Sequence, residues 1–167
     1  MAAQEMEGMP GIVAIRLDDR LIHGQVAAYW SNSLSLSRIM VANDDVAVDD
    51  MRKTVLRMAA PSGVKTSIIP LERAARQILE GRYAGQRVLL IVDKPADVLR
   101  LIELGLPIKT FNLGNMGGKE GTTPIKKYVN VTPDQEQELR DLLGKGIEIT
   151  TQLVPQDPVT HLTDYMK

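Results

Sequence analysis

The 167-residue sequence contains no cysteine, so it can form no disulfide, offers no thiol nucleophile and cannot bind a metal ion through thiolates. This absence fits a reducing compartment, and the cytoplasm is the expected location. Histidine occurs only at His23 and His161, and two histidines so far apart in sequence predict no metal site. No apolar run approaches the roughly 20 residues that cross a bilayer. We therefore expect no membrane-spanning segment.

The charges of the chain nearly balance, at 20 Lys+Arg against 21 Asp+Glu. A chain without an excess of basic residues has no field that attracts nucleic acid, so no nucleic acid partner is expected. The length is that of one domain with a substantial core. Residues 1–10 contain acidic residues and lack the apolar segment of a signal peptide. We expect a disordered leader there, with Met9 as an alternative start, and one domain over residues 11–167.

Short apolar, β-branched runs alternate along the chain with segments of helical periodicity. This alternation predicts an α/β fold: a single-domain, open, mostly parallel twisted sheet of about seven strands with helices on both faces. The polar tail after Val154 is expected to dock as a short helix. Besides a helix after His23, the predicted helices are 49–60, 71–79, 96–104 and 133–143, and the predicted strands are 12–17, 38–42, 64–69, 88–92, 108–113, 128–131 and 147–153.

Ligands of such sheets bind beyond the carboxyl ends of the strands, and His23 follows the first strand, in the run RLDDRLIHGQV. An imidazole is a nucleophile for phosphoryl transfer that needs no metal, and the free N–H groups of the next helix, from Gly24 and Gln25 onward, form an anion site. Arg20 and Arg16 could add donors to the phosphate oxygens. The helix N-terminus favours the neutral, nucleophilic ring. Without this setting, His23 is interpreted equally well as a core or capping histidine.

The run RLDDRLIHGQV resembles the active-site motif R-[IVL]-D-x-R-L-[IV]-H-G-Q-V of the IIB subunits of the mannose/fructose/sorbose family, part of the bacterial phosphoenolpyruvate-dependent sugar phosphotransferase system (PTS). Asp19 stands at the position that the motif leaves open and is given no role. The likeness covers nearly the whole chain after residue 10 and is clearest in residues 39–47, 92–98, 111–117 and 127–129.

The resemblance implies a phosphocarrier and sugar phosphotransferase. In the family, a phosphohistidine of the IIA protein or domain donates its phosphoryl group to Nδ1 of the histidine that matches His23. Phospho-IIB then passes the group to a hexose-type sugar carried by the membrane subunits IIC and IID. The resemblance thus implies IIA, IIC, IID and a sugar as partners, no cofactor, and a cytoplasmic location at the inner face of the cell membrane. It leaves open which sugar is carried, and the oligomeric state, a homo-oligomer included.

The charged residues before His23 have more than one interpretation. Arg20 is expected to contact phosphate, the alternative being an ordinary solvated charge or a partner of Asp18. Arg16 faces either the pocket or a helix, since alternation along the strand decides its direction. Asp18 would repel an incoming phosphate, so a loop-shaping hydrogen bond is the expected role.

Asn43 ends the second predicted strand at the same edge of the sheet. Its amide could donate to phosphate or to the backbone. We expect Asp44 or Asp45 to cap the helix that follows, because carboxylates accept hydrogen bonds from the first turn of a helix.

The glycine-rich run GNMGGKEGTT suggests a nucleotide-binding loop but fails the P-loop spacing, because Leu113 stands where the first glycine is required and Glu120 where the hydroxyl is required. We expect this loop, through Gly114 and Gly117, to close over the phosphoryl group or to form a docking surface. Two rival functions are a regulatory phospho-acceptor of the same fold that engages no transporter, and a nucleotide-binding module, which the spacing disfavours.

Overall fold

The computed structural model describes residues 4–166, and strands and helices alternate over this range. The helices are α1 (Gly24–Leu34), α2 (Asp44–Ala47), α3 (Asp50–Ala59), α4 (Leu71–Leu79), α5 (Pro95–Glu103) and α6 (Pro133–Gly144), with a 3₁₀ turn at Leu162–Asp164. The strands are β1 (Ile12–Asp18), β2 (Arg38–Ala42), β3 (Lys65–Ile69), β4 (Val88–Val92), β5 (Thr110–Asn115), β6 (Thr123–Lys126), β7 (Val129–Val131), β8 (Glu148–Thr151) and β9 (Thr160–His161).

Seven strands form one sheet in the order β3-β2-β4-β1-β5-β8-β9. Every neighbouring pair is parallel except β8 and β9. This arrangement confirms the predicted fold class. The central strand is β1, and the loops that follow it and its neighbours β4 and β5 gather at one edge of the sheet, where open α/β folds bind their ligands.

The membership of the sheet differs from the prediction at one strand. β7, at Val129–Val131, pairs antiparallel with β6 in a separate hairpin, and β9 supplies the seventh strand of the sheet. The hairpin is held to the end of β5, where Met116 N donates to Tyr128 O at 2.7 Å and Asn130 N donates to Met116 O at 2.9 Å. A run of three residues is too short for its pattern to distinguish a hairpin from a strand of the main sheet.

Helices cover both faces of the sheet. Apolar residues of α1 and α3, among them Trp30 and Leu56, pack on one face, and α4, α5 and α6 pack on the other. Side chains of β1 alternate between the two faces, so Leu17 enters the core beneath α4 to α6 while Arg16 and Asp18 point to the side of α1. The fold thus delivers both charged side chains to the base of the loop that carries His23.

The expected disordered leader is wrong for residues 4–10, and its first three residues lie outside the described range. Met9 is fully buried in the core beside Ile12. Met6 N donates to Ile12 O at 2.6 Å, and Gly11 N donates to the Glu5 carboxylate at 2.9 Å. The acidic side chains of this segment stay exposed while its methionine supplies the apolar contact, so the segment packs without burying charge.

The chain after Val154 docks as predicted, through β9 and the 3₁₀ turn Leu162–Asp164. Leu162 is fully buried, and Met166 is nearly so. Over residues 4–166, no helix is both long enough and apolar enough to cross a membrane.

Candidate functional site

His23 lies in the loop between β1 and α1, at the N-cap position of α1, with φ −108° and ψ 113°. Its side chain is exposed and makes no capping hydrogen bond within the described part of the chain. The carbonyl of His23 accepts from Ala27 N at 2.7 Å, which begins the helical ladder. The N–H groups of Gly24, Gln25 and Val26 precede that ladder and point away from it. An anion beside the imidazole therefore meets the positive end of α1 and its free donors.

The loop before His23 is fixed by an unusual backbone and two apolar side chains. Leu21 has φ 61°, in the left-handed region that non-glycine residues rarely adopt. Its N–H donates to Asp18 O at 2.9 Å and closes the turn. The side chains of Leu21 and Ile22 are buried in the core below α1. These anchors hold a strained turn in one conformation and leave the next residue, His23, projecting into solvent.

Asp18 is almost fully buried and binds two arginines at once. Its Oδ1 accepts from Arg20 Nε and from Arg20 N, each at 3.0 Å. Its Oδ2 accepts from Arg20 Nη2 at 2.8 Å and from Arg16 Nη2 at 3.1 Å. The carboxylate thus shapes the loop and orients Arg20, and it has no free oxygen directed at the imidazole. Two guanidinium groups thus face this one buried carboxylate, and the carboxylate of Asp19 in the same loop also acts on Arg20.

Arg16 points into the protein, on the side of α1. Its Nη1 donates to Gln152 O and its Nη2 to Leu153 O, both at 2.9 Å, and its Cζ lies 5.3 Å from the centre of the Trp30 ring. Burial lowers the pKa of Arg16, while Asp18 acts in the opposite direction. An arginine keeps its charge at neutral pH in such a setting. Arg16 therefore contributes its charge from below the loop, and both of its Nη atoms donate to groups of the protein itself.

Arg20 is the more exposed of the two arginines, with 32% of its side chain accessible. The hydrogen bond to Asp18 raises the pKa of Arg20. Its Nε and Nη2 bind that carboxylate, whereas Nη1 has no acceptor among residues 4–166. Arg20 is therefore held in place and still has a nitrogen to offer to an anion.

Gly114 lies against Arg16 and not at the surface of the site. A Cβ at this position would lie 2.2 Å from Arg16 Cζ, so the missing side chain leaves the space that the guanidinium occupies. This differs from the expectation that Gly114 helps to close over a phosphoryl group. Its part in the site is to admit Arg16.

Gly117 also has a partner within the protein, and that partner is Asp19. Asp19 Oδ2 accepts from Gly117 N at 2.7 Å, and Oδ1 accepts from Asn115 Nδ2 at 2.8 Å. Asp19 N in turn donates to Asn115 O at 3.0 Å. Asp19, for which no role was predicted, thus ties the loop after β5 to the loop after β1. A signal for this contact lies in the topology of the sheet, because β1 and β5 are neighbouring strands and the loops that follow them are therefore close together.

Asn43 caps α2, a short helix that the sequence patterns did not predict. Its Oδ1 accepts from the N–H groups of Asp45 and Val46, both at 3.0 Å. The expectation that Asp44 or Asp45 is the cap is therefore wrong, and Asp44 instead accepts from Leu71 N at 2.9 Å. The Nδ2 of Asn43 is buried and finds no acceptor among the described residues. In the sheet, β4 lies between β2, which Asn43 follows, and β1, which leads to His23.

A pair of aspartates follows β4. Burial is the main cause that raises the pKa of Asp97 to about 7, and Asp93, within hydrogen-bonding reach, raises it further. Lys94 Nζ lies 3.5 Å from Asp93 and 3.7 Å from Asp97 and opposes the shift. Asp97 is thus poised to exchange a proton near neutral pH. Within residues 4–166, no cluster of three or more His, Cys, Asp or Glu side chains is placed to hold a metal ion.

Comparison with known proteins identifies the family. The chain matches the model of the PTS system sorbose subfamily IIB component over residues 12–167. It is 37% identical over 153 residues to the sorbose-specific EIIB component of Klebsiella pneumoniae, a match that covers 92% of this chain and 93% of that protein. It is 39% identical over 149 residues to the mannose-specific EIIAB component of Escherichia coli K12, covering 89% of this chain and 46% of that protein. The chain therefore spans about half the length of its EIIAB relatives.

Solved structures agree with the sequence matches. The IIBSor domain of the sorbose permease from Klebsiella pneumoniae superimposes with a TM-score of 0.86 at 36% identity, covering 93% of this chain and 95% of that one. The manxB structure from Thermoanaerobacter tengcongensis gives a TM-score of 0.84 at 31% identity, with 93% and 94% covered. The chain belongs to the sorbose subfamily of IIB components of the PTS.

Proposed function

We propose that this chain accepts a phosphoryl group from phospho-IIA on His23 and transfers it to a hexose-type sugar during uptake through the membrane subunits IIC and IID. The observation that carries the proposal is the exposed imidazole of His23 at the N-terminus of α1, in the same loop as the partly exposed guanidinium of Arg20. A dianionic group on that ring is stabilised by the helix end and by the guanidinium of Arg20.

In the proposed first step, the unprotonated nitrogen of His23 attacks the phosphorus of the donor's phosphohistidine. The bond from phosphorus to the donor's nitrogen breaks as the bond to His23 forms, and the electron pair of the broken bond stays on the donor's ring. One proton passes through solvent from the newly phosphorylated ring to the donor's ring, so charge balances. Both states are phosphoramidates of imidazole, so the step needs alignment and charge stabilisation more than driving force.

The described contacts divide the surrounding residues into two roles. Arg20, through Nη1, and the backbone N–H groups of Gly24 and Gln25 are the proposed contacts to the phosphoryl oxygens. Arg16 and Asp18 are positioning residues, because their polar atoms are taken up by each other, by Arg20 and by backbone carbonyls. The transfer as proposed draws on no cofactor beyond the phosphorylated donor.

The second step requires that phospho-His23 reach a sugar held by membrane subunits. The proposed place of action is therefore the inner face of the cell membrane, with the chain itself cytoplasmic and held there through IIC and IID. Exposure of His23 on a loop that protrudes from the sheet edge suits a group that must meet a donor and then an acceptor in turn.

The test is the intact mass of the protein after incubation with phosphoenolpyruvate, the general phosphotransferase proteins and a cognate IIA. The parent should gain a single acid-labile phosphoryl group, and His23→Ala should gain none. His161→Ala is the matched control, since His161 is exposed and remote in sequence, and it should be phosphorylated like the parent. Phosphorylation of His23→Ala, or none of the parent with a donor proven on another IIB protein, would overturn the proposal.

A further inference from the structure

The outer edge of β3 has no neighbouring strand within residues 4–166. On its inner side, Lys65 N donates to Ser37 O, and Ile69 O accepts from Asn43 N, both at 3.0 Å. Backbone groups alternate between the two sides of a strand, so the N–H and C=O groups of Thr66 and Ile68 face outward. The strand thus presents two donors and two acceptors in the pattern that an added strand would satisfy.

A groove of about 460 Å³ runs along this edge, and its lining is strongly cationic. It includes five basic side chains and no carboxylate; the five are Arg38, Lys53, Arg57, Arg73 and Arg82. The chain as a whole has a formal net charge of −1, so this concentration of one sign is local. Such a surface attracts an anionic partner.

Three of these cations are free to bind. Arg57, Arg73 and Arg82 are exposed, and their side chains make no hydrogen bond or ion pair with any residue from 4 to 166. Arg38, by contrast, is occupied by Gln86 and Ser67, each at 2.8 Å, and it helps to form the wall of the groove.

The free cations stand on both sides of the edge strand. Arg57 belongs to α3, which covers one face of the sheet, and Arg73 belongs to α4, which covers the other. Side chains of an added strand would point alternately to these two faces. Acidic residues at successive positions would therefore meet a guanidinium on either side.

The pattern of charges and backbone groups distinguishes between occupants. A second copy of this chain paired edge to edge would bring the cations of one groove against those of the other, which is repulsive. A small anion would use the guanidinium groups and the N–H donors but leave the carbonyls of Thr66 and Ile68 unsatisfied. An extended acidic peptide satisfies the cations and both kinds of backbone group.

We propose that the open edge of β3 binds an extended acidic segment of a partner protein as an additional strand, with Arg57, Arg73 and Arg82 pairing with its carboxylates. Main-chain hydrogen bonds to Thr66 and Ile68 supply affinity in this mode, and the flanking cations supply selectivity. In the sheet this edge lies three strands away from β1, the strand that leads to His23.

The probe is an acetylated and amidated heptapeptide of glutamate only, which presents carboxylates to both faces of the sheet, titrated by calorimetry and followed by amide NMR. Binding should slow hydrogen exchange at the Thr66 and Ile68 amides. The triple variant Arg57→Gln, Arg73→Gln, Arg82→Gln should weaken binding at least tenfold. The control triple Arg100→Gln, Arg140→Gln, Lys145→Gln changes net charge equally at exposed positions that do not line the groove and should bind like the parent.

Two further probes separate strand addition from simple charge attraction. The same peptide, N-methylated at alternate residues, should lose binding, because it cannot form the ladder. Inorganic triphosphate should bind more weakly than the peptide, because it cannot satisfy the carbonyls of Thr66 and Ile68. Equal weakening by the two triples, full binding of the methylated peptide, or triphosphate binding tighter than the peptide would each overturn the proposal. Phosphorylation of His23 should be unaffected in either triple, so this test is independent of the phosphocarrier function.

Discussion

Asp18 illustrates how a buried charge can serve a surface reaction without touching it. The carboxylate is 1% exposed and accepts from two guanidinium groups and a backbone N–H. These hydrogen bonds offset the free-energy cost of burying the charge of Asp18, because both of its carboxylate oxygens accept from donors. The consequence is that Arg20 is positioned rigidly, while Arg16 is held at the core of the loop.

Asp18→Asn should destabilise the protein and slow phosphoryl transfer to His23. The amide cannot neutralise two adjacent guanidinium groups, and loss of one partner from a buried ionic group costs about 3–5 kcal/mol. Urea unfolding measures the free energy of unfolding, and quench-flow with phospho-IIA measures the rate. Asp134→Asn, an exposed change of the same kind, should leave both quantities unchanged. A parent-like stability of Asp18→Asn would contradict the interpretation.

The sequence predicts the site residues that are close together in the chain, but it does not predict their contacts with residues far away in the chain. The site around His23 is predictable because its motif and the start of the next helix depend only on residues that are close together in the sequence. The acceptors for Arg16 are the carbonyls of Gln152 and Leu153, and a backbone carbonyl has no signature in the sequence. The same holds for Asp19, whose two partners come from a loop almost a hundred residues later.

At the scale of elements, the regular strands and helices were predictable and the short ones were not. Strands at residues 38–42 and 88–92 and the helix at 71–79 have the predicted bounds, because apolar periodicity and flanking proline or glycine define them. The four-residue helix α2 and the two-residue strand β9 are shorter than a period that a pattern can reveal. Tertiary contacts alone decide such elements.

A carboxyl group at the junction of β4 and α5 should make the stability of the protein depend on pH. Burial raises the pKa of Asp97 to about 7 in the folded protein. Between about pH 4, the ordinary value for aspartate, and pH 7, the folded state binds a proton that the unfolded state has lost. The free energy of unfolding therefore contains a contribution that is present below about pH 4 and is lost as the pH rises to about 7.

Asp97→Asn should remove this contribution to the pH dependence, since an amide remains neutral at every pH. At pH 8 the variant should be more stable than the parent by about 2–4 kcal/mol, given about 1.4 kcal/mol per pKa unit, and near pH 4.5 the two should differ little. Denaturant unfolding across this range gives the comparison. Parallel pH profiles for parent and variant would show that Asp97 titrates normally.

At the scale of the whole molecule, an apolar stripe on α3 and the preceding turn adjoins the loop of His23. Val48, Met51, Val55 and Met58 are 59–82% exposed and are spaced by three and four residues, so they share one helical face. A Cβ at Gly24 would lie 3.7 Å from Ala59 O, which places the end of α3 beside the first turn of α1. A donor that covers His23 would therefore meet this stripe, and exposed apolar patches of this kind mark interaction sites.

The double variant Met51→Ser, Met58→Ser should raise the KM for phospho-IIA about tenfold, equivalent to about 1.4 kcal/mol of lost contact. The turnover number should change little, because a thioether offers no charge and no hydrogen-bond donor to a phosphoryl group. Steady-state transfer from phospho-IIA separates the two constants. Leu79→Ser serves as control, since Leu79 is 49% exposed on α4, on the opposite face of the sheet. An equal effect of that control would argue against a specific surface on α3.

The two carbonyls that accept hydrogen bonds from Arg16 affect when the loop of His23 can be completed during translation. They belong to residues 136 and 137 positions further along the chain. A ribosome adds about 5–20 residues per second, so several seconds pass between the synthesis of Arg16 and that of Leu153. During that interval the loop of His23 exists without the contacts that lock its base. A chain stalled before Gln152 would carry the complete local sequence around His23 and still lack both carbonyls that hold Arg16, so the base of this loop is completed only when the segment after β8 has been made.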